Sequence, residues 1–273
     1  MKCSFLIKSG VILCCVFLVC NAASFAQSTT FIYTSSIQTY TVPAGVAYMA
    51  ITAKGAQGGG NTVVSSAGGH GAIMSGTFGV TPGQVLAILV GGQGMTATYI
   101  GGGGGGSFVL DNATHVLLVA AGGGGGGGNN AGAVYNGLDA TTDTNGVNSG
   151  GGSGGGTAGN GGITPTASDY AGGGTGWLSN GNNGVISVGV SCTLAVGGAT
   201  PLTGGAGGMY GGDAGSVGSG GLAAAAADKE DAAPWAAAAA ADTVAVAQAP
   251  MMEHPASFIP VAAAVLIMVA LTV

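Results

Sequence analysis

The sequence predicts a mainly β protein: a β-sandwich that carries an array of polyglycine-II helices, followed by an Ala-rich helical segment and an apolar C-terminal helix. Three observations lead there. Seven short segments rich in Val, Ile, Thr, Tyr and Phe are bounded by Gly, Pro or Asn. Glycine supplies 59 of the 273 residues, in runs at 101–106, 122–128, 150–152, 154–156 and 172–174, and several of these runs lie close to such segments. Composition then changes abruptly at Leu222, from glycine to alanine.

The order along the chain is a signal peptide at 1–26, a glycine-rich β domain at 27–221, an Ala-rich stretch at 222–254 and a hydrophobic segment at 255–273. Lys2 and Lys8 form a basic start, residues 10–20 an apolar core, and Ser24-Phe25-Ala26 a small-x-small cleavage site before Gln27. That core is too short to span a bilayer, and bulky Val19 before Cys20 argues against a bacterial lipoprotein signal. Removal of 1–26 takes four of the five cysteines with it. Only Cys192 remains, so the exported domain holds no internal disulfide.

Strands are expected at 31–33, 37–42, 46–53, 72–80, 85–90, 107–110 and 116–121. Pro43-Ala44-Gly45 and Thr81-Pro82-Gly83 are turn signals, with proline at the first corner and glycine at the positive-φ position. Several short strands at close spacing argue a sandwich. Residues 120–221 are dominated by Gly, Asn, Thr and Ser, a composition that alone would read as disorder. Collagen needs a strict Gly-X-Y period and abundant proline, whereas this chain has eight prolines and no such period. A third state fits glycine: extended threefold helices, side by side, exchanging N–H and C=O bonds with their neighbours. Glycine's large ordering entropy means that such an array needs many mutual bonds and a sandwich to nucleate it.

Residues 222–233 and 235–248 are helix-prone by their alanine content, broken by Pro234 and stopped by Pro250. Residues 255–273 carry no charge. As a helix they reach roughly 28 Å, close to the ~30 Å hydrocarbon core. A single spanning helix, the removable tail of a glycolipid anchor, and an apolar tail with no membrane role all fit, because no basic flank follows. A shift of reading frame at Leu222 would also produce the compositional break.

Charge excludes several functions. Arginine is absent, and the lysines are Lys2, Lys8, Lys54 and Lys229. Nucleic-acid binding and phosphate clamping need cations that the chain does not supply. After signal removal, two lysines stand against ten acids, giving a net charge of −8.

The motifs that could carry chemistry are weak. Gly151-Gly152-Ser153-Gly154-Gly155 fits G-x-S-x-G, but glycine flanks Ser153 on both sides, where a nucleophile elbow needs a strand and a helix. Gly91-Gly92-Gln93-Gly94 lacks the lysine of a phosphate loop. His70, His115, His254 and Cys192 have no metal-ligand spacing, and His70 reads as a turn or strand-edge residue. Asp139, Asp143, Asn145 and Asn148 form an oxygen-rich loop. Thr141 stands where a calcium loop needs its first aspartate and no glutamate closes it, so the loop reads as a solvated turn. No catalytic, cofactor or metal site is therefore expected. Asn112-Ala113-Thr114 is an N-glycosylation sequon at Asn112. Trp177 and Leu178 are expected to anchor the glycine array to the sandwich.

Taken together, several strings resemble a known family. They are Thr39-Tyr40-Thr41-Val42-Pro43-Ala44-Gly45-Val46, Gly55-Ala56-Gln57-Gly58-Gly59-Gly60, Leu86-Ala87-Ile88-Leu89-Val90-Gly91-Gly92-Gln93-Gly94, the glycines 101–106 before Ser107-Phe108-Val109, Leu117-Leu118-Val119-Ala120-Ala121-Gly122, Gly176-Trp177-Leu178-Ser179 and Gly204-Gly205-Ala206-Gly207-Gly208. Over residues 31–221 the chain is similar to the glycine-rich extracellular domain of the anaplastic lymphoma kinase and leukocyte tyrosine kinase receptors and of exported bacterial relatives. The resemblance implies a tumour-necrosis-factor-like β-sandwich carrying polyglycine helices, and a receptor-like role in binding secreted protein ligands. No ligand-binding residue can be matched. The family's final glycine-rich strand segment is missing after Gly221, and no β3 lysine, H-R-D or D-F-G motif of a kinase is present.

The functional expectation is a non-enzymatic, exported, surface-associated module that binds an extracellular protein or surface ligand through loops at the sandwich–glycine boundary. It would be membrane-attached through 255–273, or extracellular if that tail is no anchor. The alternative is a structural matrix protein with disordered glycine tracts, and a hydrolase is a distant third.

Overall fold

Each tight turn expected in the N-terminal half forms, and each carries the chain from one sheet to the other. The computed structural model describes residues 27–63, 65–130, 133–148, 154–163, 172–184, 195–209 and 265–272. The expected signal peptide, the Ala-rich stretch 222–254, Ser153, Cys192 and His254 lie outside these residues. In the turns, Val46 N–H donates to Pro43 O at 3.3 Å and Gln84 N–H to Thr81 O at 3.0 Å. Gly45 and Gly83 take φ of 81° and 82°, the region that a side chain disfavours.

The strands are β1 (Gln27–Ile32), β2 (Gln38–Thr41), β3 (Val46–Lys54), β4 (Ile73–Gly79), β5 (Val85–Leu89), β6 (Ser107–Asp111), β7 (Leu117–Ala121), β8 (Gly128–Asn130), β9 (Ala133–Tyr135) and β10 (Val265–Thr272). They build two four-stranded antiparallel sheets, ordered β1-β10-β3-β4 and β2-β5-β6-β7, and a small β8-β9 hairpin. The protein is mainly β.

The two large sheets face each other across Val42, Met49, Ile51, Leu86, Ile88, Val109 and Val119, all buried. β3 alternates buried and half-buried positions, as expected of a sheet with one covered face. β5, β6 and β7 are buried almost throughout, so their sheet is covered on both faces. On its far side Leu89, Phe108, Leu110 and Leu117 form a second core, against which Trp177 packs.

The C-terminus departs from expectation. Instead of the apolar helix expected over 255–273, Val265–Thr272 is strand β10, inserted between β1 and β3. Leu266, Met268 and Ala270 stand in register with Ala53, Ile51 and Met49, the core-side positions of β3. Two physical features explain the difference. The stretch is rich in β-branched residues, which suit a pleated sheet, and β1 has no ladder to any other described strand. Hydropathy does not separate a buried strand from a helix. Among the described residues no helix is long and apolar enough to cross a membrane.

The glycine segments leave the same end of the sheets. Residues 55–60 prolong β3 and 67–72 lead into β4. Residues 90–94 prolong β5 and 101–106 lead into β6. Residues 122–128 prolong β7 and 137–140 return. Their bonds repeat every third residue. Gly55 and Gly58 donate to Ala72 and Gly69, at 2.9 and 3.0 Å. Ala56 and Gly59 donate to Gly105 and Gly102, at 2.8 and 2.7 Å. The carbonyls of Gln57 and Gly60 accept from Gly94 and Ala97, and those of Ala56 and Gly59 from Gly124 and Gly127. A β-ladder bonds every second residue to one of two neighbours. Here the arm 55–60 bonds to four.

Such bonding leaves no room for side chains between arms. A Cβ at Gly58, Gly104 or Gly123 would overlap the carbonyl of Gly125, Ala56 or Gly104. None of these three glycines has a positive φ, so space rather than backbone conformation demands glycine there. Ser107 ties the arm bases together: its fully buried Oγ donates to Lys54 O at 2.7 Å and accepts from Gly91 N–H at 3.1 Å. A second set of glycine segments, 161–162, 172–176, 181–184 and 195–198, is also cross-bonded, for example Gly173 N–H to Asn182 O at 2.7 Å and Asn182 N–H to Gly162 O at 3.0 Å.

Two outcomes are expected in denaturant titrations and hydrogen exchange. Gly104→Ala lowers stability by about 3 kcal/mol or more, because backbone must move. Gly79→Ala, with open space at its Cβ, changes stability by no more than about 0.5–1 kcal/mol and in the stabilising direction. Equal effects at the two positions would refute the close-packing account. Removing residues 265–273 strips β1 of its ladder, so the amides of Gln27–Ile32 lose exchange protection while those of β6 keep it.

Candidate functional site

The turns 43–46, 81–84 and 111–116 lie at one end of the sheets and the arms at the other, because each strand that leads into an arm begins at a turn. The three arm pairs therefore lead to the far end, where the described residues are 61–63 with 65–66, 95–100, and 129–130 with 133–136. At about 3 Å per residue, six residues carry each tip on the order of 18 Å beyond the sheets. Binding loops are expected at the sandwich–glycine boundary; the out-and-back path sets the exposed tips at the other end of the arms.

Backbone and amide bonds hold the tips to one another. Thr62 N–H donates to Ala97 O at 3.0 Å, and Gly60 N–H to Thr96 Oγ1 at 3.3 Å. Asn61, buried among the loops, donates from Nδ2 to Tyr99 O and accepts Val63 N–H on Oδ1 at 2.8 Å. Ile100 bridges to Gly128. Ala67 N–H donates to Asn136 Oδ1 at 3.0 Å. Nearby, Asp139 Oδ1 accepts His70 N–H at 2.6 Å and lies 3.0 Å from His70 Nδ1, which fastens 137–140 to 67–72.

The surface so formed is uncharged. Residues 55–69, 90–106 and 122–138 contain no Asp, Glu, Lys, Arg or His. Yet large side chains point outward from it: Val63 is 55% exposed, Met95 41%, Tyr99 42%, Val134 53% and Tyr135 37%. These five residues belong to neither of the two cores. Tyrosine in particular gives broad amphipathic contact at low entropic cost. None of these five stood out in the sequence. The signal that marks them is the repeated build of strand, glycine arm, uncharged loop, glycine arm, with Met95, Tyr99 and Tyr135 on the second and third loops.

The other candidate residues fall into structural places. The oxygen-rich loop does not converge. Asp139 is engaged with His70, Asn145 Oδ1 accepts Ala158 N–H at 3.3 Å, and Asn148 Oδ1 accepts Gly155 N–H at 2.8 Å. Among the described residues no three His, Cys, Asp or Glu side chains gather as metal ligands would. In the Gly91–Gly94 stretch, Gly91 N–H is bound by Ser107 Oγ and Gly94 N–H by Gln57 O. Trp177 packs on the outer core of the second sheet, whereas Leu178 is 49% exposed.

Asn112 sits exposed on the β6–β7 turn, at the end opposite the tips. Asp111 organises that turn. Its Oδ1 accepts Thr114 N–H at 2.6 Å, Thr114 Oγ1–H at 2.8 Å and Ala113 N–H at 3.0 Å, and Oδ2 accepts Gln84 Nε2–H at 2.7 Å. The backbone N–H of Thr114, followed by its hydroxyl, lowers the Asp111 pKa to about 2. No protein-family model matches the chain, and no curated protein is found to be similar to it.

Asp111 makes stability depend on acid. Its folded pKa lies below the unfolded value of about 3.9, so its contribution is complete above about pH 5 and fades as pH falls through 4 towards 2. Asp111→Asn is expected to lower the melting temperature at pH 7 and to flatten the fall between pH 5 and 2. An unchanged acid limb in the variant would show that other carboxylates carry it.

Proposed function

We propose that the chain is a non-catalytic, exported binding module, receptor-like in build, which presents three loops on a rigid platform of polyglycine-II helices. One observation carries the reading: the threefold hydrogen-bond period of the arms, which bond to one another and lead to uncharged loops on which Met95, Tyr99 and Tyr135 are exposed. Binding by loops on a stiff scaffold loses little ordering entropy, and this is what preorganisation contributes to affinity.

Further features support the same reading. The resemblance to the glycine-rich domain of the anaplastic lymphoma kinase and leukocyte tyrosine kinase receptors implies a tumour-necrosis-factor-like sandwich with polyglycine helices, and two facing antiparallel sheets with threefold-bonded arms agree with it. The basic, apolar and small-residue order of 1–26 supports export. Val265–Thr272 is occupied as a strand between β1 and β3, which favours an extracellular protein over one anchored through that segment. Glycosylation at Asn112 would leave the tips open, since the turn lies at the far end of the sheets. The arm N–H groups bond within the chain, which weighs against a matrix protein with unstructured glycine tracts.

Saturation binding tests the proposal. The labelled full chain, exported by an expression host, is added to the surface fraction of the source organism. Saturable binding, competed by unlabelled chain and accompanied by no turnover of surface material, is the expected result. Linear, non-competable uptake would refute a binding module.

A further inference from the structure

We infer that the five Asn-Gly pairs of the chain are latent deamidation sites which the folded array holds shut, so that their conversion marks arms that have opened. This modification chemistry goes beyond the binding reading and does not depend on it.

The pairs are Asn136-Gly137, Asn145-Gly146, Asn160-Gly161, Asn180-Gly181 and Asn183-Gly184. Asn-Gly commonly marks a turn that needs positive φ. Gly137, Gly161 and Gly181 have no positive φ. Glycine stands there for lack of space: a Cβ would overlap the backbone carbonyl of Gly125, Asn180 or Gly173. Each asparagine meanwhile bonds to backbone through its carboxamide. The Oδ1 atoms of Asn136, Asn145, Asn180 and Asn183 accept the N–H groups of Ala67, Ala158, Thr200 and Gly197, at 3.0, 3.3, 2.8 and 3.1 Å. Asn160 Nδ2 donates to Thr157 O at 3.0 Å. Close packing and carboxamide bonding therefore combine into a chemically labile dipeptide.

The reaction is intramolecular. The glycine backbone nitrogen, deprotonated by hydroxide, attacks the asparagine Cγ. The N–Cγ bond forms, the Cγ–Nδ2 bond breaks, and Nδ2 leaves as ammonia with a proton from water. Water then opens the cyclic imide to aspartate or isoaspartate. Overall, water is consumed and ammonia released. Glycine is the most permissive following residue, because it has no side chain to hinder the attack.

In the folded chain that nitrogen is engaged at every pair. Gly137, Gly146, Gly181 and Gly184 donate N–H to the carbonyls of Ala67, Gly156, Gly198 and Ala195, at 2.8, 2.9, 2.9 and 2.8 Å. Gly161 N–H donates to Ser179 Oγ at 2.9 Å. Asn136 and Gly137 thus grip one residue, Ala67, by its N–H and its carbonyl. A bonded amide gives up its proton only on opening, as in hydrogen exchange. The carboxamide is held by a bond of its own, so both reacting groups must be released before they meet. Isoaspartate then routes the backbone through the side chain and lengthens it. An arm whose bonds repeat every third residue no longer closes in register.

The test follows aspartate and isoaspartate at each pair by peptide mapping of the full exported chain at mildly alkaline pH. Conversion at all five pairs is expected to be at least about tenfold slower in buffer than in guanidinium chloride. Ser179→Ala removes the acceptor of Gly161 N–H and leaves the backbone intact. Conversion at Asn160 should then rise about three- to tenfold, the equivalent of a single hydrogen bond, while Asn136, in the other set of arms, keeps its rate. Equal rates with and without denaturant would overturn the inference. So would an unchanged rate at Asn160 in the variant. An equal rise at Asn136 would also overturn it, by assigning Ser179 to general stability rather than to one amide.

Discussion

Backbone-to-backbone hydrogen bonding around the glycine arm 55–60 is the constraint on which the rest of the molecule depends. The arm gives its N–H groups to two neighbours and its carbonyls to two more, with a period of three. Each bond adds on the order of 1 kcal/mol net, while ordering each residue's backbone costs ~1–2 kcal/mol, more for glycine. A single glycine helix therefore does not hold its shape. Five segments sharing bonds do, provided that something brings them together. The two sheets do this by delivering their arms from one end, and buried Ser107 locks the bases of two of them.

That constraint explains the division of labour between the two ends. At the turn end, side chains and special dihedrals do the work: Gly45, Gly83 and the Asp111-capped turn close the strands. At the arm end, side chains are excluded and bare amides pack instead. The one ion pair among the described arm residues, His70 with Asp139, joins two arms to each other. The cross-bonded arms hold a few exposed side chains at the tips. The tips themselves carry no Asp, Glu, Lys, Arg or His, while His70 and Asp139 pair farther down the arms.

The two sheets also differ in what they need from their sequences. The β2-β5-β6-β7 sheet is covered on both faces, by the opposite sheet and by the segment around Trp177, so its inner strands read as unbroken apolar runs. The β1-β10-β3-β4 sheet is covered on one face and β3 alternates. Its β10 comes from the far end of the chain and draws the C-terminus into the fold.

Local chemistry made much of this legible in the sequence. Proline–glycine pairs marked the turns, and β-branched clusters marked seven strands to within a few residues, because these preferences act over only a few bonds. The glycine runs beside the strands likewise announced packed backbone. Apolarity in residues 255–273 fits a helix as well as a strand, since it does not report the partner. Only β1 and β3, more than two hundred residues away along the chain, make Val265–Thr272 a strand. The grouping of the exposed loop residues was hidden for a related reason. Val63, Met95, Tyr99 and Tyr135 are ordinary loop residues one at a time. They become a surface only when three out-and-back excursions are held in parallel, and the bonds that hold them join residues some thirty to seventy positions apart. Short-range preference therefore determined the strands, the turns and the need for glycine, whereas long-range hydrogen bonding alone decided the strand partners and the meeting of the tips.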